Sequence, residues 1–384
     1  MELTKCKLGE LITQRREKND GSDLPICGVS KDGLIPPKQK DADTSIYNVF
    51  YRDDFIFNPA RMELNSIAIN DMYDRAICSS LYEVFYVHRT DLLLPHYLEL
   101  IIRQKWFTRY CEFLGQGSAR EYCRFGNISE IEIEFPPIEE QQKIVEYNTA
   151  IENRIALKQK INDNLVAVGT ASIQKNVGRG ALINLTEAEM DSLIFPEDFK
   201  IKTVSEFCAE TKSGSTPSRT NNEYWENGTI SWVKSGEVHN NITLQTEEYI
   251  TSLGLSESST KLLPKDTVLM AMYGVTAGEV GYLAIEATTN QAICGMICRS
   301  KAEAAYLYFS LIQSQAAISR LSNGGAQDNL SKNFIDNIKI VVPPSEFIEK
   351  LNLAAIVEQM TLNTKEITLL EELQATVLAQ LSSR

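Results

Sequence analysis

One feature constrains this 384-residue chain more than any other: it is written twice. "FPPIEEQQKIV" occupies residues 135–145 and "VVPPSEFIEKL" residues 342–352. At a fixed offset of 207, Ile128, Ile131, Ile133, Phe135, Pro136 and Pro137 fall on Ile335, Ile338, Ile340, Val342, Pro343 and Pro344. Upstream, "LGQGSAR" (114–120) falls on "LSNGGAQ" (321–327). Further back, "LGEL" (8–11) resembles "VSEF" (204–207), "RAIC" (75–78) resembles "QAIC" (291–294), and "HYLELIIR" (96–103) resembles "AYLYFSLIQ" (305–313). The offset drifts from about 196 to 216, as loop insertions would cause. The shared order along the chain, more than any one match, marks an internal repeat.

Each copy has the same grammar. Short apolar alternations such as "DDFIFNPA" (53–60), "LYEVFYV" (81–87), "GTISWV" (228–233) and "DTVLMAMYG" (266–274) are broken by Gly, Pro, Asn and Asp, which predicts strands and turns. A helix is expected at about 94–112 and about 302–321, then a glycine-rich tip, then a last strand, "ISEIEIEF" or "FIDNIKIVV", then Pro-Pro. Proline lacks the N–H that a sheet ladder needs but suits the first turn of a helix, and acidic residues (Glu139, Glu140; Glu346, Glu349) follow where the helix dipole favours them.

After Pro-Pro the texture changes. Residues 138–175 hold no proline and one glycine, Gly169. Apolar residues recur at helical spacing: Ile144, Ile151, Ile155, Ile161, Leu165 and Val168, then Ile356, Met360, Ile367, Leu370, Val377 and Leu381. This predicts two long amphipathic helices with a coiled-coil seam, interrupted by Asn148, Asn162, Asn363 and Gln374 as register-setting polar residues. A 36-residue helix spans about 54 Å, longer than one domain needs. The expected fold class is α+β: two pseudo-repeated β-rich bodies, 1–137 and 200–344, separated by two long antiparallel coiled-coil helices, 138–178 and 345–384, with a linker at 179–199.

The net charge of −13 argues at first against a polyanionic partner. Its distribution changes that: residues 1–135 carry 17 Lys+Arg against 21 Asp+Glu, and residues 200–342 carry 12 against 14, so each body is near neutral. No run of 18 apolar residues exists, and the N-terminus lacks a signal-peptide core, so a cytoplasmic protein with no membrane span is expected. The eight cysteines are irregularly spaced without a C-x-x-C pair and read as buried, reduced thiols, with no metal site.

A body–helix–body–helix plan suits a ligand with two separated half-sites, of which duplex DNA is the obvious case. At this point the sequence resembles the specificity (S) subunit of type I restriction–modification systems. The second body carries the strongest resemblance, in "SGSTPSRTNNEYWENGTISWVKSGEV" (213–238), "TVLMAMYGVTAGEVGYL" (267–283), "TTNQAIC" (288–294) and "NLSKNFIDNIKIVVPP" (329–344). In the first body, "FIFNPARMELNSIAIN" (55–70) and "REYCRFGNISEIEIEFPPIEEQQKI" (120–144) match a different variant of the same domain. The resemblance implies two target-recognition domains, each reading half of a bipartite asymmetric site in double-stranded DNA. It also implies helices that act as ruler and dock two methyltransferase (M) subunits, with restriction/translocase (R) subunits joining that core.

Candidate DNA-binding residues follow from chemistry. "KSGSTPSR" (212–219) gathers Lys212, Ser215, Thr216 and Arg219, a mixture suited to phosphates and base edges, or to a polar turn closing a strand. Lys234 follows a strand, while Trp225 and Trp232 beside it read as core more than stacking platforms. Tyr273 sits in a β-turn-β unit, and Asn290 and Gln291 have amide chemistry suited to adenine or to satisfying a loop backbone. The glycine-rich tips add Gln116, Ser118, Arg120 and Arg124 in the first body and Gln327 in the second. "QRREK" (14–18) reads equally as a phosphate contact or a helix surface.

Catalytic signatures are missing: no P-loop, no glycine-rich methyl-donor fingerprint, no histidine-based triad. "NPAR" (58–61) lacks the second proline and the aromatic of the adenine-methyltransferase N-P-P-[YF] motif. The expectation is a non-catalytic chain without a cofactor. Two alternatives stay open: a protein scaffold of the same plan that does not read DNA, and a β-rich carbohydrate-active enzyme with paired carboxylates.

Overall fold

The computed structural model describes residues 3–31, 33–37, 43–115, 122–183, 185–239, 242–322 and 329–382. The chain divides into two compact units, Met1–Arg154 with Leu370–Arg384, and Ile155–Leu369.

In the first unit, four strands pair in the order Ile12–Arg15, Glu83–Val87, Phe55–Phe57, Ile67–Ile69. A second four-stranded sheet runs Gly33–Ile35, Ile26–Ser30, Arg75–Cys78, Asn48–Tyr51. The strand Thr4–Lys7 pairs antiparallel with Glu132–Phe135, bringing the start of the body back to its end. Leu8, Phe55, Phe57, Phe85, Tyr97, Phe107 and Phe135 are buried in its core, where the Phe55 and Phe85 rings stack at 4.9 Å.

The second unit repeats this scheme. Its larger sheet runs Glu210–Ser213, Ile293–Ile297, Thr267–Ala271, Val280–Leu283, Ile242–Thr243, and its smaller one Glu248–Ile250, Ile230–Val233, Thr288–Thr289. Lys200–Thr203 pairs with Lys339–Val342 as Thr4–Lys7 does with Glu132–Phe135. Even single hydrogen bonds recur: Leu8 N to Ile131 O (2.8 Å) and Val204 N to Ile338 O (2.9 Å).

At both Pro-Pro pairs strand gives way to helix. Pro136 and Pro343 are buried, and the carbonyl of the second proline opens the helix: Pro137 O accepts from Glu140 N and Gln141 N, Pro344 O from Phe347 N and Ile348 N. The first long helix, Ile138–Asn176, is continuous. Gly169 is forced there, because a Cβ would lie 2.3 Å from the Phe309 ring of the helix Lys301–Ser322.

The polar residues that interrupt the seam do pair. In the second unit Asn363 Nδ2 donates to Asn162 Oδ1 (2.9 Å), Asn162 Nδ2 to Thr364 Oγ1 (3.2 Å), and Lys158 bridges to Glu366 (2.8 Å). In the first, Gln374 Nε2 donates to Asn148 Oδ1 (3.0 Å). In the second unit the numbering runs in opposite senses, 162 with 363 and 158 with 366, so the helix segments there are antiparallel. Asn363 and Asn148 are buried, as polar devices that specify a seam must be.

Several sequence expectations change. The second long helix is broken: Ser345–Lys350 and Leu353–Ser382 flank Asn352, whose φ of 53° is left-handed, a conformation asparagine tolerates. The helix expected at 94–112 is two, Pro95–Ile102 and Lys105–Gly115. "FIDNIKIVV" begins as the helical turn Lys332–Asp336, and linker residues Ala181–Leu182 add an edge strand beside Lys339–Val342. "RAIC" pairs with Ile26–Ser30 and Asn48–Tyr51 in the second four-stranded sheet, whereas "QAIC" enters the sheet that begins at Glu210–Ser213, so the counterpart of Ile293–Ile297 is Glu83–Val87 beside Ile12–Arg15. The shared letters A-I-C do not distinguish the two strands, because both are short, apolar and largely buried. Val168 is exposed, off the seam.

All eight cysteines are free, six of them buried, and burial pushes the Cys294 thiol up to about 12. No metal-holding cluster of His, Cys, Asp and Glu exists among the described residues. No described helix is long and apolar enough to cross a membrane.

Candidate nucleic-acid interface

The loop of the second body starts at Gly214, where the strand Glu210–Ser213 ends. A Cβ there would lie 2.1 Å from Thr289 Oγ1 and 2.3 Å from Asn290 O, so only glycine lets the loop reach the strand Thr288–Thr289. Gly214 N then bonds to Ile293 O (3.2 Å) and Ser215 N to Thr289 O (2.9 Å). Two indoles hold the loop from below: Trp232 Nε1 donates to Ser215 O (3.1 Å) and Trp225 Nε1 to Ser218 O (3.0 Å). Their rings meet edge to face at 5.0 Å.

Arg219 lies on that pair, its guanidinium carbon 3.6 Å from the Trp225 centroid and 4.8 Å from that of Trp232. The tryptophans are therefore both core and platform: Trp232 is buried, Trp225 half-buried. Arg219 also bonds to Glu248, which Lys234 Nζ approaches at 3.3 Å while bonding Glu247 at 2.5 Å. The Arg219 hydrogen bond holds the Glu248 carboxyl below its usual range, and Glu247 raises the Lys234 ammonium.

The structure thus brings Ser215, Thr216, Arg219, Lys234, Asn290 and Gln291 to one corner. Thr216 Oγ1 donates to Gln291 Oε1 (2.5 Å), and Ser215 Oγ bonds to Ser259 Oγ (2.7 Å). Asn290 Oδ1 accepts from Ala292 N (3.1 Å), which is the loop-satisfying role. Lys212 pairs with Glu210 (2.8 Å) on the strand leading in. Met272 N bonds to Ala292 O (2.7 Å), so the Tyr273 turn emerges alongside; Tyr273 bridges to Asn329 and its neighbour Val275 is fully exposed. Gln327 lies outside the described residues.

In the first body Gln116, Ser118 and Arg120 also lie outside the described residues. Arg124 opens the turn Phe125–Ser129, reaches Glu83 at 3.4 Å and stands 5.5 Å from the Tyr122 ring. It borders an open concavity of about 1510 Å³ with Gly28, Asn58, Arg61, Glu83 and Tyr122 among its lining residues. Arg61 and Tyr122 escaped the sequence reading. Arg61 sits in "NPAR", and nothing in the sequence joins it to Arg124. From "QRREK", Arg15 turns inward to a two-point bond with Asp54 (2.6 and 3.0 Å), while Lys18 Nζ bonds to Asn48 Oδ1 (2.6 Å).

Comparison with known proteins agrees with this doubled geometry. The profile of the "Type I restriction modification DNA specificity domain" matches twice, over residues 6–167 and 196–375. The specificity subunit of the type I restriction enzyme HindI of Haemophilus influenzae is 22% identical over 357 residues, 76% of this chain and 77% of that protein. The EcoR124I/EcoR124II specificity subunit of Escherichia coli is 26% identical over 200 residues, 51% of this chain and 46% of its own. The crystal structure of an S subunit from M. genitalium shares the fold at a TM-score of 0.58 and 15% identity, covering 99% of this chain and 96% of that one. With both copies of its repeat matched, the chain belongs to the type I restriction–modification DNA specificity family and is a non-catalytic, DNA-recognising specificity subunit.

Proposed function

We propose that each body reads one half of a bipartite, asymmetric DNA site and that the long helices set the spacing between the halves. Two methyltransferase subunits dock on this chain, and restriction/translocase subunits complete the assembly. On this reading 1–137 and 200–344 are the recognition domains, 138–178 and 345–384 the spacer helices, and 179–199 a linker that also lends a strand. The work is cytoplasmic, where the DNA is.

One observation carries the proposal: the same body and the same strand–Pro-Pro–helix handover occur twice, while the polar loops on them differ. Equal scaffolds with unequal loops suit one duplex with two different half-sites. In the second body Lys212, Ser215, Thr216, Arg219, Lys234, Tyr273, Asn290, Gln291 and Gln327 are the proposed contacts. In the first they are Gln116, Ser118, Arg120 and Arg124, joined by Arg61 and Tyr122 from the concavity. Arginine suits guanine or phosphate and the amides suit adenine.

Mapping methylated adenines in the host with and without this gene tests the proposal. The expected result is loss of one bipartite motif; an unchanged set of motifs overturns it. Inserting a few residues after Lys143 tests the ruler: the spacer should change and both half-site sequences persist. An altered half-site counts against the ruler alone.

A further inference from the structure

The cluster around Glu248 has a geometry that ordinary surface ion pairs lack. Two cations from separate elements converge on one carboxylate: Arg219 from the loop after Glu210–Ser213, Lys234 from the end of Ile230–Val233. Glu248 opens the edge strand of the smaller sheet and stands directly opposite Trp232 in the antiparallel register. Edge placement lets its side chain turn away without disturbing a ladder. Arg219 stays where it is when that happens, because its position rests on the two indole faces.

We propose that Arg219 and Lys234 form a clamp for one phosphodiester of the DNA backbone, and that Glu248 occupies the phosphate position until DNA displaces it. The inference rests on the DNA-reading function proposed above. A carboxylate and a phosphodiester each offer two anionic oxygens to a planar guanidinium, so one replaces the other without rearranging the donors. Both cations are reachable, with side chains 50% and 31% exposed. Exposed ion pairs gain little, so exchange of partner is inexpensive. The carboxylate makes that exchange conditional: contact with phosphate must outcompete an internal anion, which lowers affinity for any duplex the rest of the interface does not fit. Glu248 is therefore a positioning residue that raises discrimination.

The test uses the complex with its cognate methyltransferase subunit and two duplexes, one bearing the methylated motif and one scrambled, titrated with salt. Glu248→Gln should bind the scrambled duplex roughly three- to tenfold tighter and discriminate less. Glu247→Gln, which leaves Lys234 its contact with Glu248, should show a smaller gain. Arg219→Ala and Lys234→Ala should weaken both duplexes by the same factor, each lowering the salt slope by about 1. Melting of each variant complex confirms that it is folded. Unchanged affinity in Glu248→Gln overturns the proposal, as does an Arg219→Ala complex whose methylated motif changes at a single base. A wild-type complex that binds both duplexes alike overturns sequence reading instead, and the clamp is then decided by the Glu248→Gln ratio.

Discussion

Each body holds an arginine between two aromatic rings and bonded to a carboxylate, but at different depths. In the first, the Arg15 guanidinium lies 4.7 Å from the Tyr51 centroid and 4.5 Å from that of Tyr86, and its partner Asp54 is 2% exposed. In the second, Arg219 rests on Trp225 and Trp232, and its partner Glu248 is 31% exposed. The parts are alike and the roles are not. Asp54 is buried, and its carboxylate also accepts from Tyr51 N (2.8 Å), so the set holds the strands Ile12–Arg15 and Asn48–Tyr51 to the loop between Tyr51 and Phe55. Burial pushes the Asp54 carboxyl up, opposed by Arg15. Such a pair adds little net stability while complete but costs much when half of it is removed. Glu248, at the surface, can exchange its partner.

The largest expected effect breaks this comparison directly. Asp54→Ala leaves a part-buried guanidinium without its carboxylate and should lower unfolding free energy by about 2–4 kcal/mol in urea titrations. Glu248→Ala should change it by less than about 1 kcal/mol. Equal losses would mean that the two clusters are both structural, and the phosphate role of the second would go with the difference.

Why sequence suggested the fold better than the site follows from the same residues. The repeat, the Pro-Pro handovers and the helical spacing that sets Asn148, Asn162, Asn363 and Gln374 on one seam are local patterns, fixed by backbone chemistry and periodicity, even though the pairs themselves form across long separations. The site is not local. Arg219 meets Glu248 across 29 residues and Arg15 meets Asp54 across 39, so no spacing rule separates the exposed arginine from the buried one. "QRREK" is basic in sequence, yet Arg15 at the end of the strand Ile12–Arg15 is held by Asp54 and the rings of Tyr51 and Tyr86, partners that no local spacing reveals. The break at Asn352 was equally hidden, since neither glycine nor proline marks it.

The joints repeat the contrast. Gln141, fully buried, donates through Nε2 to Leu92 O (2.7 Å) and Pro136 O (2.8 Å), and its Oε1 accepts from Leu94 N (2.9 Å). Its counterpart at the offset of 207 is Ile348, buried in an apolar cluster where Phe347 meets Phe199 edge to face at 5.1 Å. The first joint is closed by hydrogen bonds, the second by packing. Gln141→Leu leaves one buried and two part-buried backbone groups without that partner and should cost about 2–3 kcal/mol. Ile348→Val removes one methyl and should cost about 1 kcal/mol. Urea unfolding of both variants ranks the joints; a Gln141→Leu loss at or below that of Ile348→Val would show that the first joint is also held by packing.

The smallest effect concerns the break that only the second joint has. Asn352 stands at φ 53°, between Ser345–Lys350 and Leu353–Ser382, and its N–H bonds to Glu349 O (3.0 Å). Asparagine reaches the left-handed region at a modest cost that glycine avoids. Asn352 is exposed, so its side chain adds no buried contact to set against that cost. Glycine also widens the unfolded ensemble, which takes back part of the gain. Asn352→Gly should therefore change stability by no more than about 0.5 kcal/mol in either direction, whereas Asn352→Val, β-branched at the same φ, should lose more than 1 kcal/mol, roughly. A valine variant as stable as wild type would mean that the turn relaxes into a continuous helix, making the second handover like the first.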